Sequence, residues 1–370
     1  MSIAADVGRV LWLGVDGTAP SRGLRAAVAR QALGGIVLGS HNLRTTVEPG
    51  PVPQRVTDVA ALIAWTAAVR AAAPEDAPVL IALDHEGGAV QRIRAPATQW
   101  PPMLALERHG PADVELARAI GRAQGVELAA LGVDVNLAPV LDVLTNPTNP
   151  VIGDRALGRT AAEVGRRAAA LAAGLADAGV LACGKHFPGH GDTAVDSHRG
   201  LPVVDQPRAR LEAVELAPFA AVAAALPMIM TAHVVYPALD PTAPATLSRP
   251  IVTDLLRGQL GYRGLIVTDD LDMAAIADRQ GVGPAAVAAI AAGCDAVMIA
   301  HDPRHQREAR AALTAAAAAP TFRRRLAEAA ARGRSLAIAH AAARAARPPL
   351  GLDAIGALAH RQLADRLAGG

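Results

Sequence analysis

The run at residues 265–271, LIVTDDL, begins as an aliphatic strand and turns acidic at Asp269 and Asp270. Seven other stretches follow the same rule: VLWLGVD (10–16), GGIVLGS (34–40), VLIALDHE (79–86), VDVNLAPV (133–140), VLACGKH (180–186), MIMTAHV (228–234) and AVMIAHD (296–302). Each is apolar until its end, where Asp16, Ser40, Asp84, Asn136, Lys185, His233, Asp269 or His301 appears. Alanine-rich segments of helical period separate them, the pattern of repeated β-α units around a parallel sheet. A single-domain α/β protein of the (β/α)8 TIM-barrel type accounts for the polar ends, because side chains at the C-terminal ends of barrel strands point into the mouth where ligands bind. A doubly wound open sheet is the rival. It calls for a glycine-rich nucleotide fingerprint after the first strand, and GVDGTAPSRG (14–23) does not match GxGxxG.

Composition agrees with a large aliphatic core. Hydrophobic residues make up 52% of the 370-residue chain and aromatics only 2%, so alanine, valine and leucine must fill the interior. The formal charge of +2 is near neutral, with arginines spread along the chain, which leaves no electrostatic footprint for nucleic acid. Cys183 and Cys294 each sit in an apolar run and read as core residues rather than a disulfide framework. The start, MSIAADVGRVLWLG, lacks the basic and long apolar segments of a secretory signal, so a cytoplasmic location is expected. The longest apolar stretch, 216–232, is broken by Pro218 and Pro227 and reads as a helix followed by a buried strand, not a membrane span. Prolines and polar residues mark 44–55, RTTVEPGPVPQR, as a surface loop. Beyond His301 the chain is rich in arginine and alanine, with a break at Pro320 and a turn at RPPLG (347–351). This segment reads as the last barrel helix and packing helices with solvated charged faces.

The densest chemistry lies in GKHFPGHGDTAVDSHRGLP, 184–202. A metal site built from His186, His190, Asp192, Asp196 and His198 lacks HExxH spacing and cysteine pairs, and a phosphate loop would need its lysine after the glycines rather than before them. In an extended segment Asp196 and His198 share a face. A carboxylate there orients the imidazole and stabilises its protonated form, so that His198 can give a proton to a leaving group and recover it from water. Gly184, Gly189, Gly191 and Gly200 around it permit large backbone changes. Asp269 supplies the second group, a carboxylate at a strand end able to act as nucleophile, while Asp270 and Asp272 suit helix-capping roles.

With these residues assembled, the sequence resembles glycoside hydrolase family three, and within it the bacterial single-domain β-N-acetylglucosaminidases (β-hexosaminidases) of peptidoglycan recycling. The resemblance runs through GGIVLGSHNL, ALDHEGGAVQRI, VDVNLAPVLDV, NPVIGDRALG, GKHFPGHGDTAVDSHRGLP, MTAHVVYPALD and LIVTDDLDM, in that order, over about residues 8–300. It implies that Asp269 is the catalytic nucleophile and that His198, supported by Asp196, is the acid/base on a mobile loop. It further implies that Asp84, Arg92, Arg155, Lys185 and His186 bind the sugar; a carboxylate accepts hydroxyl protons, and arginine or lysine donates to hydroxyl or acetamido oxygens. The chain departs from the resemblance at His85, Ala89 and His41, where relatives carry glutamine, arginine and arginine. The barrel is expected over 1–345, with a C-terminal helical extension packed on it over 346–370.

The expected reaction is retaining exo-hydrolysis of terminal, non-reducing N-acetyl-β-D-glucosamine from peptidoglycan fragments (muropeptides), through a covalent glycosyl-enzyme. No metal or other cofactor is implied, and the expected partner is a small carbohydrate, with no nucleic acid or membrane; the sequence leaves the oligomeric state open, a monomer being compatible with it. Three alternatives stay open: a family-three β-glucosidase, an N-acetylglucosaminide phosphorylase, and a barrel that binds muropeptides without cleaving them.

Overall fold

Eight short aliphatic runs close on themselves in the computed structural model, which describes residues 2–48, 54–195 and 200–369. The strands are β1 (Leu11–Gly14), β2 (Gly35–Leu38), β3 (Leu80–Leu83), β4 (Val135–Asn136), β5 (Leu181–Phe187), β6 (Met228–Thr231), β7 (Leu265–Asp270) and β8 (Ala296–Ile299). Each pairs in parallel with its neighbour in sequence, and β8 returns to β1 through the register Leu11 to Val297, so the barrel has no open edge. Each expected strand is present, and all but β5 are shorter than the run that announced them.

The period of two sorts side chains to the two faces of the wall. Trp12, Leu80, Ala82, Cys183, Met228 and Met298 pack in the lumen, whereas Ile36, Leu38, Ile81, Leu83, Val297 and Ile299 face the helices outside. Valine, leucine and alanine make up most of this lumen cluster, joined by methionines and one indole. Both cysteines are buried and free. No helix among the described residues is long and apolar enough to cross a membrane.

The closed, N-terminal end of the barrel is held by buried aspartates. Asp134, just ahead of β4, accepts from Arg70 (3.0 Å), His340 (3.0 Å), Arg344 (2.6 Å) and the Ile81 N–H (3.0 Å). Asp295, just ahead of β8, accepts from Arg257, from Arg325 at 2.8 Å, from Arg332 at 2.5 Å and from the Ile266 N–H at 3.0 Å. His340, Arg344, Arg325 and Arg332 all belong to one helix, Pro320–Ala345, whose Ala337 also enters the lumen cluster. The expected packing helix is therefore a strap under the barrel, pinned at two buried carboxylates. A last helix, Leu358–Ala368, lies against Asp113–Ala130 and joins it through His360 Nδ1 and Glu127, 2.9 Å apart.

One sequence expectation needs correcting. The described ends of the stretch read as a surface loop, 44–55, are strands: Thr45–Glu48 pairs antiparallel with Gln54–Thr57, in register from Thr45 opposite Thr57 to Glu48 opposite Gln54. The first of these strands is exposed throughout, so it lacks the apolar alternation that marks a strand in sequence. Its β-branched Thr45, Thr46 and Val47 favour extended backbone all the same. A second hairpin, His85–Gly87 with Val90–Gln91, follows β3 directly.

His85 in this second hairpin is buried, and neither ring nitrogen has a hydrogen-bond partner among the described residues. Burial pushes its pKa down to about 4, with Glu127 opposing and Arg94 assisting. Between that value and the ordinary 6.5 the unfolded chain binds the proton that the folded chain refuses, so stability is lost as pH falls through this window.

Two stability measurements follow from this frame. Asp295→Ala leaves three arginines at the base of β8 without their carboxylate and is expected to cost about 3 kcal/mol, read as a lower urea midpoint at unchanged m-value; an unchanged midpoint would remove the strap from the account. In His85→Gln, whose amide does not titrate, the loss of stability between about pH 7 and about pH 5 should be smaller than in the wild type by roughly 1–2 kcal/mol. Parallel wild-type and variant curves would mean that His85 is protonated in the fold.

Candidate active site

At the C-terminal end of the barrel a cavity of about 480 Å³ receives side chains from several strand ends, a volume suited to a single sugar ring and its substituent. Asp84, Arg92, Arg155, Lys185, His186 and Asp269 all line it, so the described residues among the sequence candidates converge on one site. Asp196 and His198 lie outside the described residues. Of the eight polar strand ends, Asp84, Lys185, Asp269 and His301 reach this cavity. Asn136 instead bonds the backbone of His85, accepting from its N–H at 3.1 Å and donating to its carbonyl at 3.0 Å. His233 is buried between Thr246 and the Asp270 carbonyl.

One wall is a row of alternating charges. Arg92 Nη2 donates to Asp84 Oδ2 at 2.7 Å, and Lys185 Nζ lies 2.7 Å from Asp84 Oδ1 and 2.6 Å from Glu86 Oε1. Arg155 closes the row by gripping both Glu86 oxygens, at 2.9 and 2.8 Å. Lys185 and Glu86 are each only 3% exposed, so the pairing is obligatory: an ammonium at this depth needs carboxylates around it. Burial would raise the Asp84 pKa, but Lys185 and then Arg92 hold it well below the usual carboxylate range. Glu86 is likewise lowered, with burial opposed by Lys185 and Arg155. Lys185 is raised, because Asp84 and Glu86 overcome its own desolvation. All three stay ionised near neutral pH.

His186 is set by Asp142, which is fully buried. Asp142 Oδ2 lies 2.7 Å from His186 Nδ1, while Oδ1 accepts from the His186 N–H at 3.1 Å and the His190 N–H at 2.6 Å. The carboxylate fixes both the ring and the turn beneath it, leaving His186 Nε2 for the cavity. Opposite, Asp269 Oδ1 accepts from the Asp270 N–H at 2.8 Å. Burial would raise its pKa, but His186, His233, that N–H and Lys185 together lower it. Asp269 is therefore an anion at neutral pH, the state a nucleophile requires.

Some readings of the loop and of the acidic strand end change. His186, His190 and Asp192 do not converge on one point: His190 Nδ1 lies 2.8 Å from Thr193 Oγ1, and Asp192 pairs with Thr145 (2.9 Å) and Gln206 (2.8 Å). Two of the loop glycines answer to packing rather than mobility. A Cβ on Gly191 would lie 1.7 Å from the Val143 carbonyl oxygen, and Gly189 has φ +136° with Glu215 against it. Asp270 and Asp272 do not cap the next helix, which starts at Ala274 without a side-chain cap. Asp270 instead accepts from the Ala300 N–H (3.0 Å) and holds His301 Nδ1 (2.7 Å), and Asp272 takes the His301 and Asp302 N–H groups (2.7 and 3.0 Å) and His305 Nδ1 (2.6 Å). Asp270, Asp272 and His301 could hold a cation by proximity, yet each of these carboxylate oxygens already binds a donor that ties β7 to the loop after β8.

Glu86 and Asp142 were not singled out from sequence. Glu86 stands inside DHEGG, two residues past Asp84, so its motif was visible and its partners were not. Asp142 pairs with a residue 44 positions away, which only the closed barrel brings close.

Known proteins resemble the chain in sequence over most of its length and in fold. The sequence matches the Glycosyl hydrolase family 3 N terminal domain over residues 5–332. It is 41% identical over 298 residues to a beta-hexosaminidase of Alkalilimnicola ehrlichii, an alignment covering 79% of this chain and 81% of the other. The fold superposes with a TM-score of 0.89 on a glycoside hydrolase family 3 β-N-acetylglucosaminidase from Paenibacillus, at 38% identity and covering 100% of this chain and 68% of that one. It also superposes on NagZ from Neisseria gonorrhoeae in complex with N-trifluoroacetyl-D-glucosamine, with a TM-score of 0.76, 30% identity and coverage of 98% and 97%. From its barrel, the charged row in its mouth and these matches, the chain belongs to glycosyl hydrolase family 3.

Proposed function

We propose that this family 3 member is a retaining β-N-acetylhexosaminidase that releases terminal N-acetyl-β-D-glucosamine from peptidoglycan fragments in the cytoplasm. The observation that carries the reading is an ionised aspartate, Asp269, facing a sugar-sized cavity whose other wall is the donor and acceptor row of Arg92, Asp84, Lys185, Glu86 and Arg155. The relatives named beta-hexosaminidase, and the neighbour bound to an N-acylated glucosamine, support the acetamido sugar over glucose.

In the proposed reaction Asp84 accepts protons from the sugar hydroxyls, with Arg92, Arg155, Lys185 and His186 donating to hydroxyl and acetamido oxygens. An Asp269 oxygen attacks the anomeric carbon as the glycosidic C–O bond breaks, and the bonding pair leaves with the aglycone oxygen. His198, held protonated by Asp196, delivers the proton that neutralises it. A water molecule, deprotonated by the same imidazole, then displaces Asp269 from the anomeric carbon, so the configuration is retained over the two inversions.

The test is hydrolysis of the 4-nitrophenyl N-acetyl-β-D-glucosaminide and β-D-glucoside side by side, with trapping by a fluorinated sugar. The acetamido substrate should be preferred, Asp269→Ala should lower kcat by at least about a thousandfold, and the label should map to Asp269. A label elsewhere would remove Asp269 from the mechanism, and preference for the glucoside would discard the substrate.

A further inference from the structure

Beside the sugar cavity lies a second one of about 500 Å³, lined by Ser40, Thr45, Arg55, Arg92, Arg94 and Gln99. The two share Arg92. Among the described residues no acidic side chain lines the second cavity, whereas three guanidiniums do.

The hairpin of 45–57 builds this wall. Val56 bridges Ala95, the Thr57 N–H donates to the Ala95 carbonyl at 2.6 Å, and the Arg94 N–H donates to Thr57 Oγ1 at 2.9 Å. These contacts hold Arg55 and Arg94 on adjoining backbone segments and aim both at one concavity. Among the described residues neither guanidinium has a carboxylate or other side-chain partner, in contrast to the paired Arg70, Arg155, Arg167 and Arg257 elsewhere. Arg92 gives one nitrogen to Asp84, while its buried Nε has no partner. Three like charges around one cavity repel each other, and a concave site concentrates their field on whatever enters. The chemistry that relieves this is an oxyanion, which accepts paired N–H donors from guanidinium.

We infer that this second cavity is a subsite for a carboxylate or phosphate carried by the saccharide whose terminal sugar occupies the first cavity. The hairpin Thr45–Thr57 is then a specificity element for charged substrates rather than a decoration of the barrel. The inference rests on the proposed glycosidase reading for its substrate, and the anion has two possible sources: a carboxylate on the aglycone or a phosphate ester on the released sugar.

Three substrates separate these sources: the neutral 4-nitrophenyl N-acetyl-β-D-glucosaminide, its 6-phosphate, and the N-acetylglucosaminide of a carboxylated nitrophenol. The quantity read is kcat/KM for each anionic substrate relative to the neutral one, in the wild type, in the double variant Arg55→Ala/Arg94→Ala and in Arg94→Lys. We expect the ratio for one of the two anionic substrates to fall about tenfold in the double variant, to fall by a smaller factor in Arg94→Lys, which keeps the charge but not the paired donors, and to shrink as salt is raised. Unchanged ratios in both arms overturn the subsite. A second readout needs no turnover: inorganic phosphate, compared with chloride at equal ionic strength, should raise the Tm of the wild type more than that of the double variant. If the neutral substrate is not cleaved, the glycosidase reading fails and the phosphate shift still decides the subsite; equal shifts in both proteins overturn it.

Discussion

The buried ammonium of Lys185 is the constraint from which the rest of the mouth follows. It sits on β5, 3% exposed, and charge at that depth survives only with anions in contact. Asp84 from the end of β3 and Glu86 from the hairpin beyond it meet that need, and each in turn needs a cation, which Arg92 and Arg155 provide. The row thus joins β5 to the segments after β3 and β4 and cannot form unless the barrel closes in one register. Such rows add little net stability, since desolvation cancels much of the attraction. What they contribute is arrangement: donors and acceptors for a polyhydroxylated ligand are already oriented and dehydrated before it arrives.

The two ends of the barrel use the same kind of pairing for different ends. Asp134 and Asp295 sit ahead of β4 and β8, each surrounded by basic side chains and each accepting a backbone N–H from the neighbouring strand. They fasten the helix Pro320–Ala345 under the lumen, far from the cavity. Asp84, Glu86, Asp142 and Asp269 are at the opposite end, where the cavity opens. Buried aspartates therefore act as fasteners below and as a reactive surface above, and the difference lies in which end of a strand each one occupies.

This division explains what could be read from the chain alone. Polar residues at the ends of apolar runs announced eight strands, and through them Asp84, Lys185 and Asp269, because strand period and strand end are local properties. The resemblance to family three extended the reading to Arg92, Arg155 and His186, which the cavity brings together. Partners across the barrel were not legible. Asp142 finds His186 44 residues away, and Asp134 finds Arg344 210 residues away, separations that carry no sequence signal. Asp270 and Asp272 were misread as capping groups for a related reason: their ligands, the backbone after β8, come into reach only after closure. The strand Thr45–Glu48 was missed because it is exposed throughout, so nothing imposes a period of two on it.

The electrostatics of the mouth also constrain where the catalytic proton comes from. Retaining glycosidases commonly set one carboxyl high, as the acid, and one low, as the nucleophile. Here Asp84, Glu86, Asp142 and Asp269 are all held below their ordinary values, although burial alone would have raised each of them. The cause is shared: every one faces lysine, arginine or histidine within the same wall. None of these four carries a proton near neutral pH, so none can serve as the acid while the row is intact. Raising one would mean removing the cationic partner that holds it down. His190 and His233 are lowered by burial and are poor proton donors at that pH for the opposite reason. A wall tuned to keep its carboxylates ionised thus favours an acid of another type, delivered from outside the wall. An imidazole supported by a carboxylate of its own, the pairing proposed for His198 and Asp196, is an acid of that type.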